Sequence, residues 1–98
     1  MQQDPFVARR YYLKDVPDAV EVRVHRPEAD DVDYFCRVEI DGLASPVRKK
    51  AYGVDAMQAL LLGLSMAKTC LTASCEFKRG EIGWFEPGDS DSGIEAHF

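Results

Sequence analysis

Apolar side chains recur at helical spacing along one continuous segment, residues 53–75. Positions three and four residues apart fall on one face of an α-helix, so this spacing predicts a single long helix with an apolar stripe. Asp55 is a suitable N-cap, and Gln58 three residues later has the spacing of a capping box. The side chains of the predicted stripe are Met57, Leu60, Leu61, Leu64, Ala67, Cys70 and Leu71.

The chain before this segment alternates between apolar and polar residues, which is the period of a β-strand with one buried face. Residues 16–18 and 27–31 contain proline and acidic groups, so they predict turns or loops between strands. Asp41-Gly42 predicts a hairpin turn, since glycine readily adopts the positive φ that tight turns need. The predicted strands are residues 6–14, 19–26, 32–41 and 47–52.

These elements predict an α+β fold: a four-stranded antiparallel meander with one long helix packed on one face of the sheet. A helix of about 20 residues and strands of about eight have similar lengths, so one helix can cover much of the sheet. Residues 81–85 are expected to add a short C-terminal strand, and residues 87–93 predict a loop. No repeat or linker divides residues 1–98, so we expect a single domain.

The acidity of the chain narrows the set of partners. The net charge is −5, and most of the excess acid lies in residues 54–98. This balance disfavours a surface that neutralises phosphate groups, so we expect neither nucleic acid nor an anionic membrane as a partner. The three cysteines form no CxxC pair and the N-terminal residues include no apolar signal segment, which predicts a cytoplasmic protein.

Residue types used in catalysis or metal binding are present, but their spacing matches neither task. His25 and His97 are the two histidines, and no serine or cysteine lies in a recognisable nucleophile motif. Asp89, Asp91 and Glu95 start like a calcium loop but lack its later ligands. We therefore expect no enzyme, no catalytic residue, no metal and no cofactor.

Aromatic side chains form the candidate interaction surface. One of two adjacent residues in a strand faces outward, which applies to the Tyr-Tyr pair of the first strand and to the Trp-Phe pair beyond the helix. Exposed aromatic rings beside charged groups are typical of contact surfaces. The alternative is that the C-terminal tail covers these rings. The candidate residues are Tyr11, Tyr12, Phe35, Trp84 and Phe85.

Residues 53–60 read GVDAMQAL and resemble the helix start G-V-D-x-x-Q-A-L of a family of short bacterial proteins of unknown function. A following G-x-L-x-W segment of that family is matched by residues 80–84, with Ile82 in place of leucine. A final aspartate–glycine turn is matched by residues 91–93. The resemblance covers the second half of the chain and implies an architecture and a bacterial source, but no reaction.

A small acidic domain without a catalytic set predicts a non-enzymatic protein-interaction module. Its partner would be another protein or a second copy of the chain, bound through the uncovered sheet face or an edge strand. Bacterial immunity proteins, which neutralise toxins, share this size and charge and are one class of such modules. The alternative is a ligand-binding domain or enzyme with a pocket between the helix and the sheet near Trp84.

Overall fold

Alternation between apolar and polar residues produces an antiparallel sheet, and the helical spacing that follows produces the helix that covers it. The structure is a computed structural model that describes residues 5–89 and 92–94. The α+β class and the order of strands before helix agree with the prediction. The elements are β1 (Val7–Leu13), β2 (Val16–Val24), β3 (Glu28–Asp30), β4 (Asp33–Asp41), β5 (Val47–Gly53), α1 (Ala56–Thr72), α2 (Cys75–Lys78) and β6 (Ile82–Gly83).

The main strands form the predicted meander. β1 pairs with β2, β2 with β4, and β4 with β5, and every pair is antiparallel. β6, the expected C-terminal strand, pairs with the free edge of β1. The sheet therefore runs β6–β1–β2–β4–β5 across its width, and β3 lies beside the beginning of β4.

Two segments differ from the sequence prediction. Residues 28–30, predicted as a loop, pair with β4 as β3. The proline before them interrupts the ladder, but the His25 N–H donates to the Arg37 carbonyl at 3.0 Å and keeps the chain beside β4. Residues 16–18, predicted as a turn, begin β2 instead, because the chain already reverses at Lys14, whose φ is +55°.

The helix packs on the sheet through Ala67 and Leu71 of the predicted stripe and, at its closest approach, through the small residues Ala59 and Gly63. Met57, predicted in the stripe, is 72% exposed. A Cβ atom on Gly63 would lie 2.7 Å from the Cys36 Sγ, so α1 and β4 approach closely at this point. Leu60 and Leu64 are partly buried and pack against the core beside this line. The buried residues of α1 are Ala59, Gly63, Ala67 and Leu71.

The start of α1 is capped by the predicted residues. The Asp55 Oδ1 accepts a hydrogen bond from the Gln58 N–H at 2.8 Å, and the Gln58 Oε1 accepts one from the Val54 N–H at 2.7 Å. A Cβ atom on Gly53 would lie 2.5 Å from the Ala59 nitrogen, so only glycine fits between β5 and the helix. The G-V-D-x-x-Q-A residues therefore serve to turn the chain from β5 into α1.

The predicted helix is divided near its C-terminal end. α1 stops at Thr72, and Ser74 caps α2 by accepting a hydrogen bond from the Phe77 N–H at 3.2 Å. Small polar residues favour such a break because they compete for backbone hydrogen bonds, and β-branched residues favour it because they lose rotamer freedom in a helix. The Glu76 Oε2 accepts from the Ala44 N–H at 2.7 Å and ties α2 to the loop between β4 and β5.

The core lies between α1 and one face of the sheet. None of the described helices combines the length and the apolar composition needed to cross a membrane. Buried side chains from the adjacent strands β2 and β4 supply most of the sheet's part of the core, and β1 and β6 close the core at one side. These side chains are Tyr11, Val20, Val22, Val24, Cys36, Val38, Ile40 and Ile82.

Candidate functional site

The sheet face that points away from α1 carries charged side chains that pair across the strands, and we call it the charged face. Arg23 lies at its centre, where its guanidinium donates to Glu21 at 2.7 Å, to Asp41 at 2.5 Å and to Glu39 at 3.3 Å. Arg48 Nη2 donates to the other Asp41 oxygen at 2.5 Å. The side chain of Arg23 is 18% exposed, so this ladder is partly shielded from water.

These contacts stabilise the charged forms of the carboxyl groups. The hydrogen bond from Arg23 holds the pKa of Glu21 below its ordinary value. Hydrogen bonds from Arg48 and then Arg23 lower the pKa of Asp41. The same carboxylates, Glu21 first, raise the pKa of Arg23. The carboxylates of the charged face are therefore held in ion pairs within β2 and between neighbouring strands.

His25 is a buried side chain beside the charged face, and its two ring nitrogens differ in their bonding. It is 7% exposed, and its Nε2 lies 2.7 Å from the Glu39 Oε1. Because a carboxylate only accepts, the Nε2 carries the shared proton. This hydrogen bond is the main cause that lowers the pKa of Glu39. The buried Nδ1 of His25 has no hydrogen-bond partner in the described part of the chain.

The structure separates the predicted aromatic surface into two groups. Phe35 is partly buried on the charged face, with its ring centroid 6.1 Å from that of Tyr52 and the Lys50 Nζ 4.6 Å above it. Trp84 and Phe85 lie beyond β6, with ring centroids 4.1 Å apart, and Phe85 is 70% exposed. Since β1 and β2 separate β6 from β4, the two groups do not form one surface.

The two tyrosines of β1 have different environments. Tyr11 is 1% exposed, and its hydroxyl donates to the Ser92 carbonyl at 2.5 Å. Its assignment to the interaction surface is therefore wrong, because the register opposite Val20 places it on the helix side of the sheet. Tyr12 is half-buried and pairs with Gly83 of β6. The doublets RRYY conceal this phase, since two polar and two aromatic residues in succession give no alternation.

A cleft opens between the helix and the sheet beside Trp84, and we call it the Arg9 cleft. Its volume is about 260 Å³. Arg9 is the one charged side chain among its described lining residues, and its guanidinium lies 3.9 Å from the Trp84 ring centroid. Arg9 Nη1 also donates to the Gly93 carbonyl at 2.7 Å. The apolar lining comes from Val7, Val22, Val24, Leu64, Ala67 and Ile94.

A second depression, the β5–α1 groove, lies along the edge of the sheet. β5 pairs with β4 on one side, and no described strand pairs with its other side. Leu62, 45% exposed, lines the groove, and Tyr52, 52% exposed, borders it from the charged face; the sequence assigned neither to a surface. Tyr52 shares one face of β5 with Arg48 and Lys50, and this pattern was the signal in the sequence that could have predicted its exposure. The groove is lined by Lys49, Lys50, Tyr52, Leu62, Met66 and Cys70.

Residues 7–96 match a domain of unknown function, DUF6968. The chain belongs to this family. The match confirms the resemblance that the sequence showed and extends it through the strands of the first half. No curated protein and no solved structure gives a significant match.

The signature residues of this DUF6968 chain have structural roles where they are described. Asp55 and Gln58 cap α1, and Ile82 is fully buried under the sheet edge. Asp89 accepts hydrogen bonds from three successive backbone N–H groups, those of residues 84–86. Asp91 and Glu95, considered above as cation ligands, lie outside the described residues. Within the described part of the chain, no three potential metal ligands converge.

Proposed function

We propose that this DUF6968 domain is a non-enzymatic protein-interaction module. The observation that carries the proposal is a set of exposed apolar side chains on β5, in the turn that follows it and on α1. Tyr52 is 52% exposed, Val54 72%, Met57 72% and Leu62 45%. Exposed apolar groups beside an unpaired strand edge are typical of a surface that another chain covers.

The protonation states of the ionisable groups support a non-enzymatic function. A carboxylate that acts as a general base or acid near neutral pH usually has a raised pKa. The pKa values of Glu21, Glu39 and Asp41 are all lowered by their basic neighbours. Burial raises the pKa of the Cys36 thiol, which disfavours the thiolate that a nucleophile requires.

The partner in this proposal is another protein, and the setting is the bacterial cytoplasm. Cys36, Cys70 and Cys75 are free thiols, which suits a reducing compartment. An immunity-like role is the specific form we favour, because the chain shares the small size and the net acidity, −5, of that class of single-domain proteins.

The proposal is tested by affinity capture from cells that naturally contain the protein, with matched variants. Leu62→Glu places a charge in the β5–α1 groove, whereas Val16→Glu makes the same kind of change at a residue of 58% exposure at the start of β2. We expect a stoichiometric protein partner that Leu62→Glu loses and Val16→Glu keeps. Equal capture by both variants, or no partner with the wild-type chain, contradicts the proposal.

A ligand-binding function is the second candidate, and the Arg9 cleft is the observation that favours it. The cleft is apolar with one guanidinium at its edge, which suits a small anion with an apolar body. Its volume of about 260 Å³ is below the range of about 300–1,000 Å³ that is usual for ligand pockets. Trp84 is the single tryptophan, so its fluorescence reports on the cleft directly. A saturable change on titration with octanoate, lost in Arg9→Ala, would favour this candidate.

A further inference from the structure

We infer that β5 is a docking strand, to which an extended acidic segment of the partner protein adds as a further strand of the sheet. This inference rests on the proposed function and specifies its surface and the chemistry of its partner. Strand addition uses the unpaired backbone groups of an edge strand for affinity and the flanking side chains for specificity.

The geometry of β5 suits strand addition better than the other margins of the sheet. β5 has seven residues, and all of them pair with β4 from Val47 opposite Ile40 to Gly53 opposite Tyr34. Its opposite edge has no described strand partner. β3 and β6 have three and two residues, which is too short for a stable added strand.

The charge of β5 identifies the docked segment as acidic. Neither Lys49 nor Lys50 forms an ion pair with any described carboxylate, although the chain as a whole carries a net charge of −5. Lys50 instead lies over the Phe35 ring. An acidic side chain placed beside Lys50 would gain an ion pair that the chain itself does not provide, and Lys49, beside the groove, adds to the positive potential of the edge.

A second copy of the chain is a poor occupant of this edge. Antiparallel pairing of two β5 strands about Lys49 would place Lys49 opposite Lys49 and Arg48 opposite Lys50 of the copy. Like charges directly opposite one another destabilise strand pairs, and lysine on an edge strand protects against self-association. The charge pattern therefore favours a foreign acidic strand.

The two faces of β5 define the pattern that the added strand should carry. Val47, Lys49 and Ala51 pair with the buried residues Ile40, Val38 and Cys36, so they lie on the α1 side. On that side an added strand would lie over the β5–α1 groove, where apolar side chains contact Leu62 and Met66. On the opposite side its residues would lie beside Arg48 and Lys50. The expected segment thus alternates acidic and apolar residues.

The probe for this inference is a peptide with the length of β5, seven residues, and the sequence Glu-Val-Glu-Leu-Glu-Val-Glu with blocked ends. The matched control peptide has lysine in place of each glutamate. We expect the acidic peptide to bind with a Kd on the order of 1 mM or tighter. We also expect amide hydrogen exchange to slow at alternate residues of β5, because an added strand protects every second N–H group.

Variants of the chain separate strand addition from general attraction. The double substitution Lys49→Glu with Lys50→Glu should weaken binding of the acidic peptide by about tenfold or more. The substitution Lys14→Glu should leave the affinity of that peptide unchanged. Lys14 is the control because it lies in the β1–β2 hairpin, which β4 separates from β5. Thermal melting shows that each variant is folded. Equal binding of the lysine peptide, absent binding of the acidic one, or protection that does not alternate along β5 overturns the inference.

The outcome also distinguishes this inference from the function on which it rests. A natural partner that depends on Leu62 but leaves β5 amide exchange unchanged overturns strand addition and leaves the interaction module standing. The absence of any partner that depends on Leu62 overturns the module itself.

Discussion

Gly63 of α1 lies directly over Cys36 of β4, so close that a Cβ atom on Gly63 would be 2.7 Å from the cysteine Sγ. The helix therefore approaches the sheet through a position that has no side chain. The Cys36 thiol in turn donates to the His25 carbonyl at 3.2 Å, which limits its freedom to move aside.

Gly63→Ala should destabilise the protein despite the better helix propensity of alanine. Overpacking costs about 1–3 kcal/mol, and the propensity gain of about 1 kcal/mol offsets part of it. We expect a net loss of about 1 kcal/mol in the free energy of unfolding, measured by urea denaturation. Cys36→Ala combined with Gly63→Ala should recover part of this loss, because the new methyl group enters the space of the thiol. Strictly additive effects would contradict the contact.

The corrected helix face predicts opposite results for two large side chains of α1. Leu71 is fully buried, so Leu71→Ala should cost about 2–5 kcal/mol through the cavity it leaves. Met57 is 72% exposed, so Met57→Ala should change the stability by less than about 0.5 kcal/mol. Denaturation of both variants under the same conditions provides the comparison. A large cost at Met57 would show that the helix is rotated relative to this structure.

The N-cap of α1 contributes measurably to the stability of the protein. Asp55→Ala removes the acceptor of the Gln58 N–H and should cost about 1 kcal/mol. Asp55→Ser keeps an oxygen acceptor at the same position and serves as the control, with most of the stability retained. If the serine variant is as unstable as the alanine variant, the loss does not come from the cap.

Acid should destabilise the protein through the charged face. The pKa values of Glu21, Glu39 and Asp41 are lower in the folded chain than their ordinary values, chiefly because of hydrogen bonds to basic side chains. Such groups contribute stability above their unfolded pKa and lose it as the pH falls through the folded value. The free energy of unfolding should therefore decrease below about pH 4.

Arg23→Met tests the origin of that pH dependence. The variant lacks the guanidinium that contacts all three carboxylates, so its stability should fall less steeply between neutral and acid pH. Urea denaturation across the pH range measures both slopes. An identical acid dependence in the wild-type and variant chains would show that other groups control it.

The parts of the fold with unambiguous periodicity are those that the sequence predicts well. Residues 19–26 alternate without interruption, and the capping residues Asp55 and Gln58 mark the helix start. The prediction that Met57 lies in the buried stripe was wrong. Hydrophobicity places the largest side chains in the predicted core, whereas close packing on the sheet selects small side chains at the points of closest approach. Tyr11 was misplaced because its neighbours do not alternate in polarity.

The candidate site was less accessible to prediction than the fold. Exposure of Tyr52 and Leu62 depends on β5 being the last strand of the sheet, and that order is a tertiary property. The basic cluster Arg48-Lys49-Lys50 was visible in the sequence, but its position on an open edge was not. Whether such a cluster lies on an ordinary solvated face or on an edge open to docking depends on which strands pair with the strand that carries it.

The most direct test of the account is site-specific photo-cross-linking in living cells. A photoreactive amino acid in place of Leu62 should give one discrete protein adduct, because the β5–α1 groove is the proposed contact surface. The same amino acid in place of Val16 should give none. Adducts of equal yield at both positions, or none at position 62, would contradict an interaction function for this surface.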